Sequence, residues 1–410
     1  AATAGHAAQV TSLPAALLAH GLGLGGGTYT LDAACASSLF AVKLACDELL
    51  SNRADMMLAG GVSRPDCLYT QIGFSQLQAL SPTGRCAPFD ASADGLVVGE
   101  GVGIVILKRL ERALDDGDTI YGVIRGIGLA NDIGGSLLAP DSDGQLRAMR
   151  AAYTAAGWSP QDLDLIECHG AGTPVGDATE LQSLSTLWSQ GPWTPGQCGL
   201  GSVKSMVGHL LTAAGAAGLI KTLLALKAHI LPPSLKFNRA GSASPLVNGP
   251  LRVITAQEKW TRRKAGLPRR AAVSAFGFGG INAHLLVEEW TADNQEPARG
   301  LEADPIKTHT REISDDLAPA PIAIVGMGAT FGHLKGLRAF QEAIFNGKSN
   351  IGARSDSRLP GQDPTISAYL QNHILPGGYI DSVEVMPGAY HMPPNEIPDI
   401  IPQHLLMLQV

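Results

Sequence analysis

One cysteine of the six in this sequence lies where a reactive thiol could be made. Cys35 sits in the segment DAACASSL (32–39), between a short apolar stretch and a run with helical apolar spacing. The start of a helix offers unpaired N–H groups that favour a thiolate, and small flanking residues leave room for a thioester. A free cysteine is otherwise usually an inert packing residue, which is our interpretation of the other five: Cys46, Cys67, Cys86, Cys168 and Cys198.

Two histidines could act beside such a thiol. His169 lies in ECHGAGTPVGD (167–177), after a strand candidate, and His209 lies in VKSMVGHLLTAAG (203–215), five residues after Lys204. Histidine can serve as acid, base or hydrogen-bond donor near neutral pH. Taken alone, His169 equally fits a core histidine that is bonded to backbone, and the second segment equally fits close helix packing.

A glycine-rich segment could supply backbone donors. In SAFGFGGINAH (274–284), the glycines around Phe278 leave the chain free to turn N–H groups toward one ligand oxygen. Such a run could also cradle a phosphate. The sequence contains no GxxxxGK[ST] segment, however, so nucleotide binding is not supported.

Alternating strands and helices would position these residues. We predict strands over 28–34, 55–62, 97–110, 121–129, 163–167, 200–203, 271–276 and 284–288, and helices over 11–20, 35–52, 142–156, 179–188 and 206–227. The alternation predicts an α/β fold with a largely parallel or mixed sheet. Both the cysteine and His169 would then lie at strand ends.

Composition narrows the function classes. The chain has 410 residues, of which 45% are hydrophobic and 16% charged, and its net charge is −7. No Lys/Arg run suggests a basic face for nucleic acid, and the sequence shows neither an apolar stretch of the ~20 residues that a membrane span needs nor a signal-peptide pattern. We therefore expect neither nucleic acid nor membrane as a partner, and a cytoplasmic location. Absence of CxxC and HExxH spacings gives no reason to expect disulfides or a metal.

Taken in order, the four segments resemble the β-ketoacyl synthase family of the thiolase superfamily, over roughly residues 10–290. The segment SPTGRCAPFDASADGLVVGEG (81–101) is similar to modular polyketide and fatty-acid synthases. The overlapping YTQIGFSQLQALSPTGRC (69–86) looks most like ketosynthase domains of polyunsaturated fatty-acid synthases. The resemblance implies a thiolase-like fold of layered αβαβα type.

The resemblance also implies a mechanism. Cys35 would accept an acyl chain from the phosphopantetheine of an acyl carrier protein, and malonyl-carrier would condense with it after losing carbon dioxide. No cofactor would be bound directly. His169 and His209 would stabilise the enolate, and Lys204 would orient His169. Further roles implied by the family are an oxyanion hole from the N–H groups of Cys35 and Phe278, a gate at Phe278, pantetheine contacts from Thr173 and Phe278, and support from Glu180 and Asn282.

One departure concerns the pantetheine site. The family commonly has HGTGT, with both threonines on the pantetheine, whereas Ala171 replaces the first of them here. We expect a weaker pantetheine contact rather than lost catalysis.

A larger departure concerns domain organisation. Family members open with a phrase like PIAIVGMG well before the nucleophile, but here 34 residues precede Cys35 and the phrase occurs at Pro321. We therefore expect a synthase domain over 1–290 that lacks its N-terminal part, a linker over 291–320, and the beginning of a second ketosynthase-like domain over 321–410. Residues 390–408 depart from the family's DPQQR-type phrase, which favours a chain-length-factor-like second domain. The partners would be a second copy of the chain or a ketosynthase/chain-length-factor pairing.

Two alternatives remain open. A thiolase would need a second catalytic cysteine late in the chain, and the loop GFGGINAH (277–284) has none. A non-catalytic chain-length-factor-like module would usually lack the nucleophile, whereas Cys35 and both histidines are present.

Overall fold

The computed structural model describes residues 12–63, 68–134, 139–189, 191–242, 244–291, 327, 330–331, 333–346 and 349. The chain divides into two compact units, Ala1–Glu302 and Ala303–Val410, and each is described by itself.

The first part of unit 1 forms a two-stranded sheet with helices around it. Its elements are α1 (Leu13–Leu22), α2 (Ser37–Leu50), β1 (Met56–Ser63), α3 (Leu68–Gln76), β2 (Gly101–Lys108) and α4 (Leu110–Asp115). Strands β1 and β2 pair antiparallel from Met56↔Lys108 to Ser63↔Gly101. Helix α2 buries Leu39 and Val42, which places the residues following Cys35 firmly in the core.

The second part of unit 1 forms a six-stranded mixed sheet and its helices. Its elements are β3 (Val123–Asn131), α5 (Ser142–Ala156), β4 (Leu165–Glu167), α6 (Pro174–Trp188), β5 (Cys198–Gly201), α7 (Lys204–Val207), α8 (Ala214–Ala228), β6 (Ile230–Leu231), β7 (Leu251–Val253), β8 (Glu258–Lys259), β9 (Arg270–Gly277) and β10 (Ile281–Glu288). The order of the six-stranded sheet is β3-β10-β9-β4-β5-β7, antiparallel over the first three strands and parallel over the rest. Strands β6 and β8 pair antiparallel as a separate two-stranded sheet.

The elements of unit 1 stack in layers. Helices α2 and α8 contact each other and lie between the two sheets, since each touches a strand of both. Helix α5 packs on β3 and β10 at the far face of the large sheet, and α6 packs beside α5. Two sheets enclosing a helical layer give an α/β architecture of the thiolase-like kind.

Sequence features explain how closely α5 approaches the sheet. Asp141 caps the helix by accepting a hydrogen bond from Asp143 N at 3.0 Å. Gly126 and Gly128 on β3 face the helix, and a Cβ at Gly128 would lie 1.9 Å from the carbonyl oxygen of Ala148. Only glycine therefore permits this contact, and the predicted helix over 142–156 is confirmed.

Two predictions of secondary structure are wrong. Residues 28–34 do not form a strand, because their only bridge among the described residues is the isolated one from Ala33 to Cys35, and Thr28–Tyr29 lie exposed. The single helix over 206–227 is broken: Gly208 adopts φ 77° and ψ −178°, and His209 bonds by its backbone to Val97 and Gly99. Because of this break, His209 lies outside the helices and beside residues 97–99.

The segment Leu211–Ala228 is long and apolar enough to cross a membrane by length and composition. Half of it is buried within the protein, and Leu219 and Leu226 belong to the core beside the sheets. We therefore interpret it as a core helix.

Unit 2 is described only in part. Strands β11 (Thr330–Phe331) and β12 (Leu334–Lys335) form a hairpin, and α9 (Gly336–Phe345) follows. The phrase PIAIVGMG at Pro321, apart from Met327, and the phrase at 390–408 lie outside the described residues.

Candidate active site

Cys35 occupies a tight turn just before α2. Ala34 has φ 49°, a left-handed conformation that is uncommon outside glycine. Ser37 holds the turn, since its hydroxyl accepts from Ala33 N at 2.8 Å and donates to the carbonyl oxygen of Ala34 at 2.7 Å. A strained turn held in this way fixes the direction of the Cys35 side chain.

A cavity of about 290 Å³ opens onto this cysteine. His169, His209 and Phe278 line the same cavity, as do Thr173 and Asn282. The structure thus brings together side chains from segments that span about 250 residues of sequence. Lys204 and Glu180 lie behind the lining and act through the backbone.

Burial controls the charge of the thiol. It raises the pKa of Cys35 to about 11, although the Lys204 ammonium and the backbone N–H groups of Phe278 and Cys35 itself lower it. The N–H groups at the start of α2 thus favour the thiolate, as the sequence predicts, but burial outweighs them in the resting site. Cys35 is a protonated thiol at neutral pH.

This pKa predicts a pH profile for alkylation. The rate at which iodoacetamide modifies Cys35 should rise about tenfold per pH unit between roughly pH 7 and pH 10, because the thiolate fraction rises in proportion. Peptide mass spectrometry separates Cys35 from the other cysteines. A rate that is flat from about pH 6 to pH 8 would instead indicate a thiolate–imidazolium pair and contradict this electrostatic picture.

His169 follows β4 and is fixed by the neighbouring strand. Phe276 N, on β9, donates to His169 Nδ1 at 3.2 Å. Because Nδ1 accepts, the ring proton is on Nε2. Burial, with the Lys204 charge and His209 adding to it, holds the pKa of His169 well below its ordinary value, so the ring is neutral.

His209 has the same arrangement from a different segment. Leu211 N donates to His209 Nδ1 at 3.0 Å, which again leaves the proton on Nε2. Burial, with Lys204 adding to it, holds the pKa of His209 well below its ordinary value. The two ring centroids lie 5.3 Å apart, with the planes at 75°. The cavity therefore contains two neutral imidazole N–H donors that can serve one oxygen.

Charged groups hold the His169 loop by its backbone. Glu180 accepts from His169 N at 2.8 Å and from Gly170 N at 2.7 Å, and Lys204 Nζ donates to the carbonyl oxygen of His169. Burial raises the pKa of Glu180 to about 7, against the opposing effect of those N–H groups. Lys204 and Glu180 therefore position His169 rather than touch a substrate.

Two aspartates join this framework without having been singled out by the sequence motifs. Asp177 accepts from Phe89 N at 2.7 Å and from Gly172 N at 3.1 Å, which ties residues 86–95 to the His169 loop. Asp177 ends the ECHGAGTPVGD segment and precedes Glu180 on α6 by three residues. Residues at this spacing lie on the same face of a helix, and this spacing is the sequence signal that could have identified Asp177.

Asp132 supports the glycine loop. Asn282 Nδ2 donates to Asp132 Oδ1 at 2.7 Å and to the carbonyl oxygen of Gly280 at 3.0 Å. Asp132 N donates to the same Gly280 oxygen at 2.8 Å. Through these hydrogen bonds Asn282 and Asp132 together hold the glycine loop at Gly280. The sequence predicted a supporting role for Asn282 but did not indicate Asp132.

Glycine brings the loop against the nucleophile. A Cβ at Gly277 would lie 2.9 Å from Ala34 Cβ and 3.0 Å from Cys35 N. Phe278 follows, with its backbone N–H directed at the Cys35 sulfur and its ring 36% exposed at a centroid distance of 5.9 Å from Phe74. The N–H groups of Cys35 and Phe278 can thus serve a common oxyanion, and the ring lies at the cavity beside the sulfur.

The remaining predicted contact residue, Thr173, lines the cavity at the N-terminal end of α6. Ala171 lines it too, within an apolar cluster with Ala79 and Leu96. Among the described residues, no group of three or more His, Cys, Asp or Glu side chains could hold a metal ion.

Comparison with known families agrees with this geometry. Residues 2–113 match the description "Beta-ketoacyl synthase, N-terminal domain", residues 121–238 match "Beta-ketoacyl synthase, C-terminal domain", and residues 242–314 match "Ketoacyl-synthetase C-terminal extension".

Curated relatives are much longer proteins, of which this chain spans less than a fifth. The mycocerosic acid synthase-like polyketide synthase of Mycolicibacterium smegmatis is 36% identical over 362 residues, which cover 82% of this chain and 17% of that protein. Polyketide synthase ThaG of Burkholderia thailandensis is 44% identical over 284 residues, covering 66% of this chain and 5% of the relative.

Solved structures give the same family. The ketosynthase from module 6 of the bacillaene synthase of Bacillus subtilis 168 superposes with a TM-score of 0.67 at 38% identity, covering 69% of this chain and 51% of that one. A structure described as PfaC keto synthase–chain length factor gives a TM-score of 0.76 at 38% identity, covering 90% of this chain and 38% of that one. The chain belongs to the β-ketoacyl synthase family and has its thiolase-like fold.

Proposed function

We propose that this chain is a β-ketoacyl synthase of a polyketide or polyunsaturated fatty-acid synthase, and that Cys35 is its acyl-accepting nucleophile. The observation that carries the proposal is the pair of imidazole N–H donors. His169 and His209 each accept a backbone N–H at Nδ1, so both present Nε2–H in the cavity of Cys35.

The first half-reaction transfers an acyl group to Cys35. The sulfur attacks the carbonyl carbon of a carrier-bound thioester, and the C–S bond to the phosphopantetheine breaks. The thiol proton passes to the departing pantetheine sulfur, because neither histidine has a free Nε2 lone pair to take it. The N–H groups of Cys35 and Phe278 stabilise the oxyanion in between.

The second half-reaction forms the carbon–carbon bond. Malonyl-carrier loses carbon dioxide, and the Nε2–H groups of His169 and His209 stabilise the resulting enolate oxygen. The carbanion attacks the Cys35 thioester, the C–S bond breaks, and the Cys35 thiolate regains a proton from solvent. The negative charge of the malonyl carboxylate passes to the enolate and then to the Cys35 thiolate, so atoms and charge balance.

Replacing Cys35 by alanine tests the nucleophile. In the full-length protein, transfer of a labelled acyl group from acyl-carrier to the chain should fall by roughly a thousandfold or more, since Cys35 is the only thiol among the described residues that line the cavity. Intact-protein mass spectrometry measures the loading. Cys46→Ala is the matched control and should load normally. A labelled acyl group on the Cys35→Ala protein would contradict the assignment.

The wider setting is also part of the proposal. The structure described as keto synthase–chain length factor covers 90% of this chain, against 69% for the bacillaene ketosynthase, which supports a chain-length-factor-like second unit after residue 320. An acyl carrier protein and a dimeric or ketosynthase/chain-length-factor assembly are the partners this implies. The gene sequence downstream of Val410 tests the second unit, because an intact second Cys-His-His set there would contradict it.

A further inference from the structure

Gln145 is a buried amide that none of the sequence motifs contains. It lies in the first turn of α5, is 1% exposed, and lines the same cavity as Cys35, His169 and His209. A glutamine with so little exposed surface normally has its polar atoms paired. An amide atom of Gln145 that no protein group pairs would therefore indicate a polar group of the ligand that the cavity binds.

One side of this amide is held by the protein. The hydroxyl of Ser183 on α6, itself fully buried, lies 2.8 Å from Gln145 Oε1, and it shares its single proton with the Thr179 carbonyl oxygen and Ser142 Oγ, each at 2.9 Å. The amide nitrogen donates to none of the described residues, yet it is not among the enclosed polar atoms that have no partner. Because Gln145 lines the cavity, this nitrogen faces the open volume as a donor without a partner among the described residues.

The walls around this donor differ in polarity. Asn282 and Asp132 approach the preceding residue, since a Cβ at Gly144 would lie 2.8 Å from Asn282 Nδ2 and 1.7 Å from Asp132 Oδ1. Thr173 also lines the cavity, whereas Ala79 and Leu96 belong to an apolar cluster. A polar wall suits the amide-containing arm of a substrate, and an apolar wall suits an acyl chain.

We propose that Gln145 Nε2 binds an amide carbonyl oxygen of the phosphopantetheine arm. This inference rests on the proposed function, because it names how the same cavity holds that reaction's substrate. The arm carries two amide groups, and an amide carbonyl that enters a buried cavity without a donor is costly. Gln145 provides such a donor where Ala171 has no hydroxyl to contribute.

Self-acylation of Cys35 by two thioesters tests this role in the full-length protein. Hexanoyl-pantetheine carries the amide arm, and S-phenyl thiohexanoate carries the same acyl chain without any amide. For Gln145→Leu, the KM for hexanoyl-pantetheine should rise about tenfold with a maximal rate close to wild type, because one hydrogen bond is lost. Acylation by S-phenyl thiohexanoate should be unchanged. Gln145→Glu keeps an acceptor for Ser183 but has no donor, so it should show the same rise in KM.

Gln182→Leu is the matched control, since Gln182 is an exposed glutamine on α6, and it should behave as wild type with both probes. An equal loss with both thioesters would overturn the inference, because it would show a role in the acyl pocket or in folding. No change with either thioester would overturn it too. If wild type accepts hexanoyl from neither thioester, the proposed function fails and this inference with it, which distinguishes the two failures.

Discussion

Replacing His209 by alanine should leave acyl loading of Cys35 within about tenfold of wild type, while carbon dioxide release from malonyl-carrier falls by about a hundred- to a thousandfold. Loading depends on Cys35 and on the backbone N–H groups of Cys35 and Phe278, none of which His209 contacts by hydrogen bond. Decarboxylation depends on the paired Nε2–H donors, and one of the pair is lost. Mass spectrometry of the loaded protein and trapping of released carbon dioxide measure the two steps separately.

His229 provides the control for that experiment. It is half exposed, lies at the end of α8 with φ 56°, and contacts Glu289 rather than the cavity. Asparagine tolerates this backbone conformation, so His229→Asn should leave both steps unchanged. An equal fall in loading and decarboxylation for His209→Ala would show that His209 shapes the nucleophile site, which would contradict its role as an enolate donor.

The order of the reactive segments in the sequence identified the family and predicted the three side chains that the structure brings to one cavity. Cys35, His169 and His209 each stand in a segment whose residue types indicate their chemistry, so the sequence sufficed. Helix α5 and the strands around the glycine loop follow equally from apolar spacing and turn residues. Each of these features depends on residues that are close together in the sequence, so the sequence alone is enough to predict it.

Other features depend on contacts that the sequence does not display. Residues 28–34 have strand-like composition, but a strand also needs a neighbouring strand, and the only bridge of this segment among the described residues is the local one from Ala33 to Cys35. The helix expected over 206–227 is broken because His209 pairs with Val97 and Gly99, which are more than 100 residues away. Tertiary pairing outweighed local propensity in both places.

The electrostatics of the site were equally hidden. The backbone N–H groups at the helix start lower the pKa of the Cys35 thiol, but burial outweighs them and raises this pKa to about 11. Asp132 and Gln145 contact the site from segments without a recognisable motif, and only the fold brings them to the cavity. Burial and long-range contact therefore account for what sequence reasoning missed.

Replacing Gly277 by alanine should lower the rate of acyl loading by roughly a hundredfold while the fold persists. The added Cβ would lie 2.9 Å from Ala34 Cβ and 3.0 Å from Cys35 N, so either the loop or the nucleophile turn must shift. A shift separates the Phe278 N–H from the position of the oxyanion, and loss of one such donor typically costs about 3 kcal/mol of barrier. Overpacking should also lower the free energy of unfolding by about 1–3 kcal/mol. Loading kinetics and thermal unfolding measure the two effects.

A double-mutant cycle separates this steric cause from general damage. Ala34→Gly removes the methyl group that the new Cβ meets and suits the φ of 49° at that position. Adding it to Gly277→Ala should therefore recover part of the lost loading rate, whereas Gly241→Ala, where an added Cβ meets nothing within 4 Å, should change nothing. If Ala34→Gly and Gly277→Ala reduce loading independently, the two sites do not interact. The close approach of the glycine loop would then not be what sets the oxyanion geometry, and the contact between these two turns would lose its catalytic role.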